Sequence, residues 1–186
     1  MRVGVVGLGL IGGSLSRALR HAGHDVRGAD FDARTRGLAA DAGFDVVDDP
    51  RALVDADVVF LAVPLPALPA VLPTFADFRG LLTDVTSVKA RVAALVAQCC
   101  SGVRFVGGHP MAGKETSGFE AGEAGLFRDR TWVLCLDDDT RLEDWRSAAR
   151  LVCGLGARAV AAVSSEHDAA AARISHLPHL LAAAMT

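Results

Sequence analysis

Short apolar runs, rich in β-branched residues, recur along the chain and alternate with longer amphipathic stretches dominated by alanine and leucine. The runs predict strands over RVGVV (2–6), DVRGAD (25–30), FDVV (44–47), DVVFLAV (57–63), GLLTDV (80–85), VRFVGG (103–108), TWVLCL (131–136) and ARAVAAV (157–163). The stretches between them predict helices near 10–22, 33–42, 67–76, 88–99, 141–153 and 164–186. Strands that read as continuous apolar runs, joined by helical crossovers, belong to a parallel sheet covered on both faces. The expected fold is a doubly wound α/β domain with a mostly parallel sheet.

Two segments depart from this pattern. Residues 107–127, GGHPMAGKETSGFEAGEAGLF, have no clear apolar period and hold a histidine against a proline among several glycines. They read as an irregular connection with some task other than packing. The last segment, SSEHDAAAARISHLPHLLAAAMT, reads as an alanine-rich helix interrupted at Pro178. Its LLAAAMT end has neither a cap nor a polar tail, so its apolar face calls for further chain or a second subunit to cover it.

Composition narrows the partners. A chain of 186 residues that is 51% hydrophobic is long enough for one domain with a sizeable core, or for one domain and the start of another. The net charge of −3 and the scattered basic residues give no footprint for nucleic acid or a membrane surface. Cys99, Cys100, Cys135 and Cys153 have neither CxxC spacing nor paired histidines and read as ordinary thiols in a reducing compartment. Glycines and arginines interrupt the first twenty or so residues, unlike a secretory signal or a span, so a cytoplasmic location is expected. Asp137, Asp138 and Asp139 read as a solvated turn, and no metal site is expected.

The most informative glycines are those of GLGLIGGS (7–14). Gly7, Gly9 and Gly12 have G-x-G-x-x-G spacing directly after an apolar run and at the start of a helical pattern. Gly7 permits a tight turn, Gly9 lets a pyrophosphate approach the backbone, and Gly12 allows close packing of helix on strand. The helix N-terminus, with Leu10 and Ile11, then offers N–H groups to the phosphates. Asp30 closes the second strand about 20 residues on, where a carboxylate accepts from both ribose hydroxyls and repels a 2′-phosphate. NAD is therefore expected over NADP, although Arg34 and Arg36 lie close enough in sequence to offset a phosphate. Val63 and Pro64, at the end of the fourth strand, belong on the nicotinamide side of the same edge.

Two further loops leave that edge, TDVTSVKA (83–90) and GGHPMAGKE (107–115). They can bring Ser87, Lys89 and His109 to the cleft in front of a nicotinamide. A histidine there takes the proton of a substrate hydroxyl while hydride leaves the same carbon. The residues describe a dehydrogenase acting on an alcohol.

GLGLIGGS, TDVTSVK, FVGGHPMAGKETSGFEAGEAGLFRDRTWVL and HDAAAARISHLPHLLA, in this order and spacing, make the chain similar to the prephenate dehydrogenase family over essentially its whole length. The resemblance implies a Rossmann-like domain over residues 1–163 and, over 164–186, the first helix of an incomplete all-helical domain that forms a homodimer. It also implies NAD-dependent oxidative decarboxylation of prephenate to 4-hydroxyphenylpyruvate in tyrosine biosynthesis. His109 matches the family's catalytic histidine and Ser87 the serine that positions it. His167 and His179 match histidines of the substrate pocket, and His176 between them has no firm role. Glu115 falls either at the pocket entrance or on plain surface. Lys114, if it faces the substrate, suits the keto acid of prephenate and opposes the ammonium of arogenate, the rival substrate. The family's carboxylate-binding arginine has no counterpart after Arg173, which leaves open an NAD-binding fragment without turnover.

Overall fold

A computed structural model of the chain describes residues 1–173. Its main sheet has six strands in the order β3-β2-β1-β4-β5-β6, every neighbouring pair parallel. The strands are β1 (Arg2–Val6), β2 (Asp25–Ala29), β3 (Asp45–Val47), β4 (Val58–Leu61), β5 (Leu81–Asp84) and β6 (Arg104–Val106). Helices α1 (Leu10–His21), α2 (Ala33–Asp41), α3 (Leu68–Val71) and α4 (Ala90–Cys99) lie between them. The continuous apolar runs have a simple cause. Successive side chains of a strand point to opposite faces. On β4, Val58 and Phe60 enter the cluster of Leu15, Leu19 and Trp132, whereas Val59 and Leu61 enter that of Leu72, Phe75 and Leu82. Both faces are covered, so no position on the strand can be polar.

The helix expected over 67–76 is a single α turn flanked by 3-10 turns at Leu65–Ala67 and Leu72–Phe75. Pro66, Pro69 and Pro73 fall one in each piece and remove the donors a longer helix needs.

The expected strand over 103–108 divides at Gly107. β6 ends at Val106, and Gly108–Pro110 form a separate strand, β7. β7 pairs antiparallel with β8 (Thr131–Cys135), which pairs parallel with β9 (Arg158–Ala162) across helix α5 (Leu142–Gly154). The last expected strands thus form a second, three-stranded sheet. The physical reason lies at Gly108, whose N–H donates to the Asp84 carboxylate at 3.0 Å and so leaves the parallel ladder. A Cβ at that position would stand 2.6 Å from the Asp84 carbonyl oxygen.

The irregular segment 107–127 also packs. Phe119 and Phe127 are buried, Phe119 meets Phe44 edge to face, and the Arg17 guanidinium lies 3.9 Å from the Phe119 ring centroid. Glu123 N–H donates to Ser14 Oγ at 3.0 Å. The segment therefore closes over α1 and the glycine-rich turn. Asp137, expected as a solvated residue, accepts from Ser164 N–H at 2.8 Å and so caps helix α6 (Ser164–Ala171). His176, Pro178 and His179 lie outside the described residues.

Candidate active site

The glycine-rich turn has the geometry its spacing predicts. Gly7 has φ +90°, and a Cβ there would sit 2.7 Å from the Ala62 carbonyl oxygen. At Gly12 a Cβ would be 1.8 Å from the Gly7 carbonyl oxygen, so helix and turn meet backbone to backbone. Gly9 differs: a Cβ there would meet nothing within 4 Å. It is the N-cap of α1, and no side chain bonds to that helix end. Open space and uncapped N–H groups at one point suit a phosphate.

A cleft of roughly 730 Å³ opens here. Gly7, Gly9, Leu10, Ile11, Asp30, Val63, Pro64 and Ser87 line it, and Gly12 supports the turn from behind. Asp30 accepts from Leu8 N–H at 2.6 Å and from Asp32 N–H at 2.9 Å, one on each oxygen. The carboxylate is therefore fixed in the cleft wall, with acceptor capacity left on both oxygens. Arg36 donates to the carbonyls of Asp30 and Phe31, both at 2.9 Å, and Arg34 pairs with Glu120 at 3.7 Å. Arg36 is held by the backbone and Arg34 is 81% exposed in a loose pair, so it is the fixed Asp30 carboxylate that favours a ribose diol over a 2′-phosphate. Sequence reasoning passed over Phe31 and Thr35, which line the cleft together with Thr86. Phe31 is 63% exposed, and an aromatic ring placed directly after the acid that closes the second strand was the available signal.

His109 stands half-buried in β7, and its Nδ1 lies 2.9 Å from Nε2 of His167 on α6. Nδ1 of His167 lies 2.9 Å from Oδ1 of Asp168. Asp168 also accepts from the backbone N–H groups of Lys89 (2.7 Å) and Ala90 (2.9 Å), and so caps the start of α4. Burial raises the Asp168 pKa, but the hydrogen bonds from His167, Lys89 and Ala90 outweigh it, and the carboxyl is held below its ordinary value. An ionised Asp168 accepts a hydrogen bond from His167 Nδ1–H, and the neutral ring then has its lone pair on Nε2. His109 must then donate from Nδ1, and its own Nε2 is the acceptor. This tautomer is assigned from the bonding partners.

The remaining expected site residues are placed as follows. His167 is 5% exposed, and its Nε2 meets Nδ1 of His109. Ser87 is exposed on the wall of the cofactor cleft, and the bond to His109 Nδ1 comes from His167. Lys89 does not reach the cleft: its side chain is fully buried and paired with Asp84. Lys114 pairs with Glu123 at 2.8 Å and lines a different pocket, with Met111, Arg128 and Arg130. Glu115 is exposed. Asp84 and Asp168 went unnoticed in the sequence, because nothing local distinguishes them from solvated acids. His109 and the cleft are nonetheless linked: Thr86, on the cleft wall, donates to the same Asp84 carboxylate that holds Gly108, the neighbour of His109.

A parallel sheet wound around an uncapped, glycine-rich turn, with an acid fixed at the end of its second strand, defines a dinucleotide-binding domain. Residues 15–161 match the family described as "Prephenate dehydrogenase, nucleotide-binding domain". The chain belongs to that family. It is 34% identical to the prephenate dehydrogenase of Lactococcus lactis subsp. cremoris, a match that covers 97% of this chain and 52% of that protein. Among solved structures it is similar to Aquifex aeolicus prephenate dehydrogenase in complex with hydroxyphenyl propionate and NAD+, with a TM-score of 0.92 and 28% identity over 100% of this chain and 68% of that one. It is similar as well to Synechocystis arogenate dehydrogenase, with a TM-score of 0.89 and 33% identity over 100% of this chain and 68% of that one. The chain spans about half the length of the Lactococcus relative.

Proposed function

We propose that this chain is the cofactor-binding and base-bearing part of an NAD-dependent prephenate dehydrogenase, which forms 4-hydroxyphenylpyruvate in tyrosine biosynthesis. Gly7, Gly9, Leu10, Ile11, Asp30, Val63 and Pro64 are the residues that would hold NAD, which when bound accepts the hydride. The supporting observation is the His109–His167–Asp168 chain, which orients His109 with Nε2 as acceptor. His109 takes the proton of the ring hydroxyl as hydride leaves the carbon bearing it. The ring carboxylate departs as carbon dioxide, and its bonding electrons complete the aromatic ring. Aromatisation drives the step, so the protein has chiefly to position the hydroxyl and receive its proton. Ser87, on the cleft wall, places that hydroxyl near the nicotinamide. Family resemblance adds His179 to the substrate pocket and Glu115 to its entrance.

Arogenate is the second reading. Lys114, which would oppose its ammonium, already pairs with Glu123. The similarity to the Synechocystis enzyme also favours keeping this substrate in view.

The test is NADH formation with prephenate and with arogenate, by the protein made from its complete reading frame and by its His109→Asn variant. Turnover of prephenate that the variant loses, with NAD binding kept, supports the proposal. Faster turnover of arogenate moves the substrate assignment. NAD binding without turnover of either leaves a nucleotide-binding protein and overturns the enzymatic reading.

The proposal includes a domain boundary near residue 163, a homodimer formed through the segment that follows, and a cytoplasmic location. The family match ends at residue 161, in keeping with that boundary. Among the described residues no helix is long and apolar enough to cross a membrane. Light scattering of the purified protein tests the dimer.

A further inference from the structure

Lys89 follows Ser87 closely in sequence, yet its side chain and that of Asp84 are both 0% exposed. Nζ of Lys89 bonds Oδ2 of Asp84 and donates to the Gly108 carbonyl at 2.6 Å. Oδ1 of Asp84 accepts from Gly108 N–H at 3.0 Å. The ion pair thus grips both backbone polar groups of the residue before His109. The Lys89 main chain has a second task, since its N–H donates at 2.7 Å to Oδ1 of Asp168, the oxygen that also meets His167 Nδ1. The contacts close a ring that runs from the Lys89 side chain through Gly108, His109, His167 and Asp168 back to the Lys89 backbone. Asp84 extends the ring to the cofactor side, where Thr86 donates to Oδ2 from its N–H at 2.9 Å and from Oγ1 at 2.6 Å.

We propose that the buried Asp84–Lys89 pair positions the base: it fixes His109 relative to the cleft wall at Thr86 and Ser87. The inference rests on the reading of His109 as the proton acceptor. A buried ion pair is weak evidence for stability, since apolar groups of the same volume pack as well. Its use here is geometric. Hydride and proton leave one alcohol group in two directions, so the cofactor wall and the imidazole must keep a fixed separation, and small misplacements are costly. The Lys89 side chain is fully buried away from the cleft and acts through Gly108, so it is a positioning residue and not a catalytic one.

The experiment compares Lys89→Met and the double variant Asp84→Asn/Lys89→Met with wild type, in protein made from the complete reading frame. The double variant leaves no buried charge unpaired and keeps an acceptor for Gly108 N–H, so it is the variant expected to fold. The expected result is a fall in kcat of about 100-fold, the cost of a misplacement near 1 Å, with NAD affinity and substrate KM nearly unchanged. Side-chain ¹⁵N spectra should show one His109 tautomer in wild type and a mixture in the variants. A folded double variant with wild-type kcat overturns the proposal, and so does a kcat loss matched by an equal loss of NAD binding. If neither variant folds, amide exchange in wild type decides: protection of Gly108 equal to that of β5 supports the clamp, and exchange at loop rates overturns it. If wild type oxidises neither prephenate nor arogenate, the functional reading fails, and the tautomer comparison still decides the clamp.

Discussion

His167 stands between His109 and Asp168, 2.9 Å from each, so the imidazole proposed as base is tied to a carboxylate through a second imidazole. The arrangement transmits a tautomer. The charge on Asp168 fixes the proton on His167 Nδ1, and that proton fixes the one on His109.

Asparagine at position 168 keeps one of the two bonds that cap α4, because Lys89 and Ala90 donate to different carboxylate oxygens and its amide has only one. It cannot hold the His167 proton as an anion does. Asp168→Asn is therefore expected to fold and to lose activity by about 100-fold or more, within the range that general-base catalysis supplies. The pH dependence of stability has a definite sign. Because the folded pKa of Asp168 lies below its ordinary value of 3.8, its ionised form stabilises the fold above that value, and the stabilisation is lost as pH falls through the folded pKa. Denaturant melts of the two proteins should differ by a constant amount near neutrality and converge in strong acid. A gap that widens on acidification contradicts this account.

The glycines of the turn make opposite predictions for the same substitution. Gly9→Ala places a methyl group in open space, so stability should hold while NAD binding weakens by about tenfold, or ~1.4 kcal/mol. Gly12→Ala would ordinarily strengthen a helix by about 1 kcal/mol. Here its Cβ would sit 1.8 Å from the Gly7 carbonyl oxygen, and the collision dominates. Thermal melts and NAD titration of both variants separate the two roles. Equal losses of stability would show that Gly9 is a packing residue.

Much of the cofactor half was legible because its signals are local. G-x-G-x-x-G spacing, an acid closing the second strand and strands apolar on both faces are each properties of a few consecutive residues. The second sheet was not legible in the same way. Nothing around Gly107 announces that the ladder ends there, since the cause is a side-chain carboxylate 24 residues before Gly108, Asp84. Lys89 misled for a related reason. Its place in a loop at the sheet's carboxyl edge suggested the cleft, but the buried Asp84 draws it inward. His167 was recognised as part of a site, whereas its contact with His109 depends on residues 58 positions apart. Pairings across such distances are set by packing and leave no mark on the intervening sequence.

The four thiols should react in an order set by burial. Cys153 is exposed, whereas Cys100 and Cys135 are buried. Burial, reinforced for Cys100 by Cys99, pushes the Cys100 thiol up to about 11. Burial likewise pushes Cys135 up to about 11, against the opposing pull of a Ser164 hydrogen bond. The thiolate is the reactive species, so a maleimide at neutral pH should label Cys153 first and leave Cys100 and Cys135 until the protein unfolds. Mass spectrometry of peptides from a timed reaction reads the order. Early labelling of Cys135 would show that the second sheet opens in the native state.

A second ion pair, besides Asp84–Lys89, ties the two sheets together. Arg104 begins β6 of the main sheet, and its guanidinium meets the carboxylate of Asp144, in the first turn of the α5 crossover of the second sheet. Asp144 is 2% exposed on its side chain and Arg104 is 42% exposed. Removing the exposed partner therefore strands a buried carboxylate, while removing the buried one returns a guanidinium to water. Arg104→Met should cost more stability than Asp144→Asn, by about 1–2 kcal/mol, because an unpaired buried charge keeps its desolvation penalty. Both variants leave the glycine-rich turn untouched and should bind NAD as wild type does. Urea melts measure the difference, and a larger loss for Asp144→Asn would show that the acid serves α5 locally and contributes little to joining the sheets.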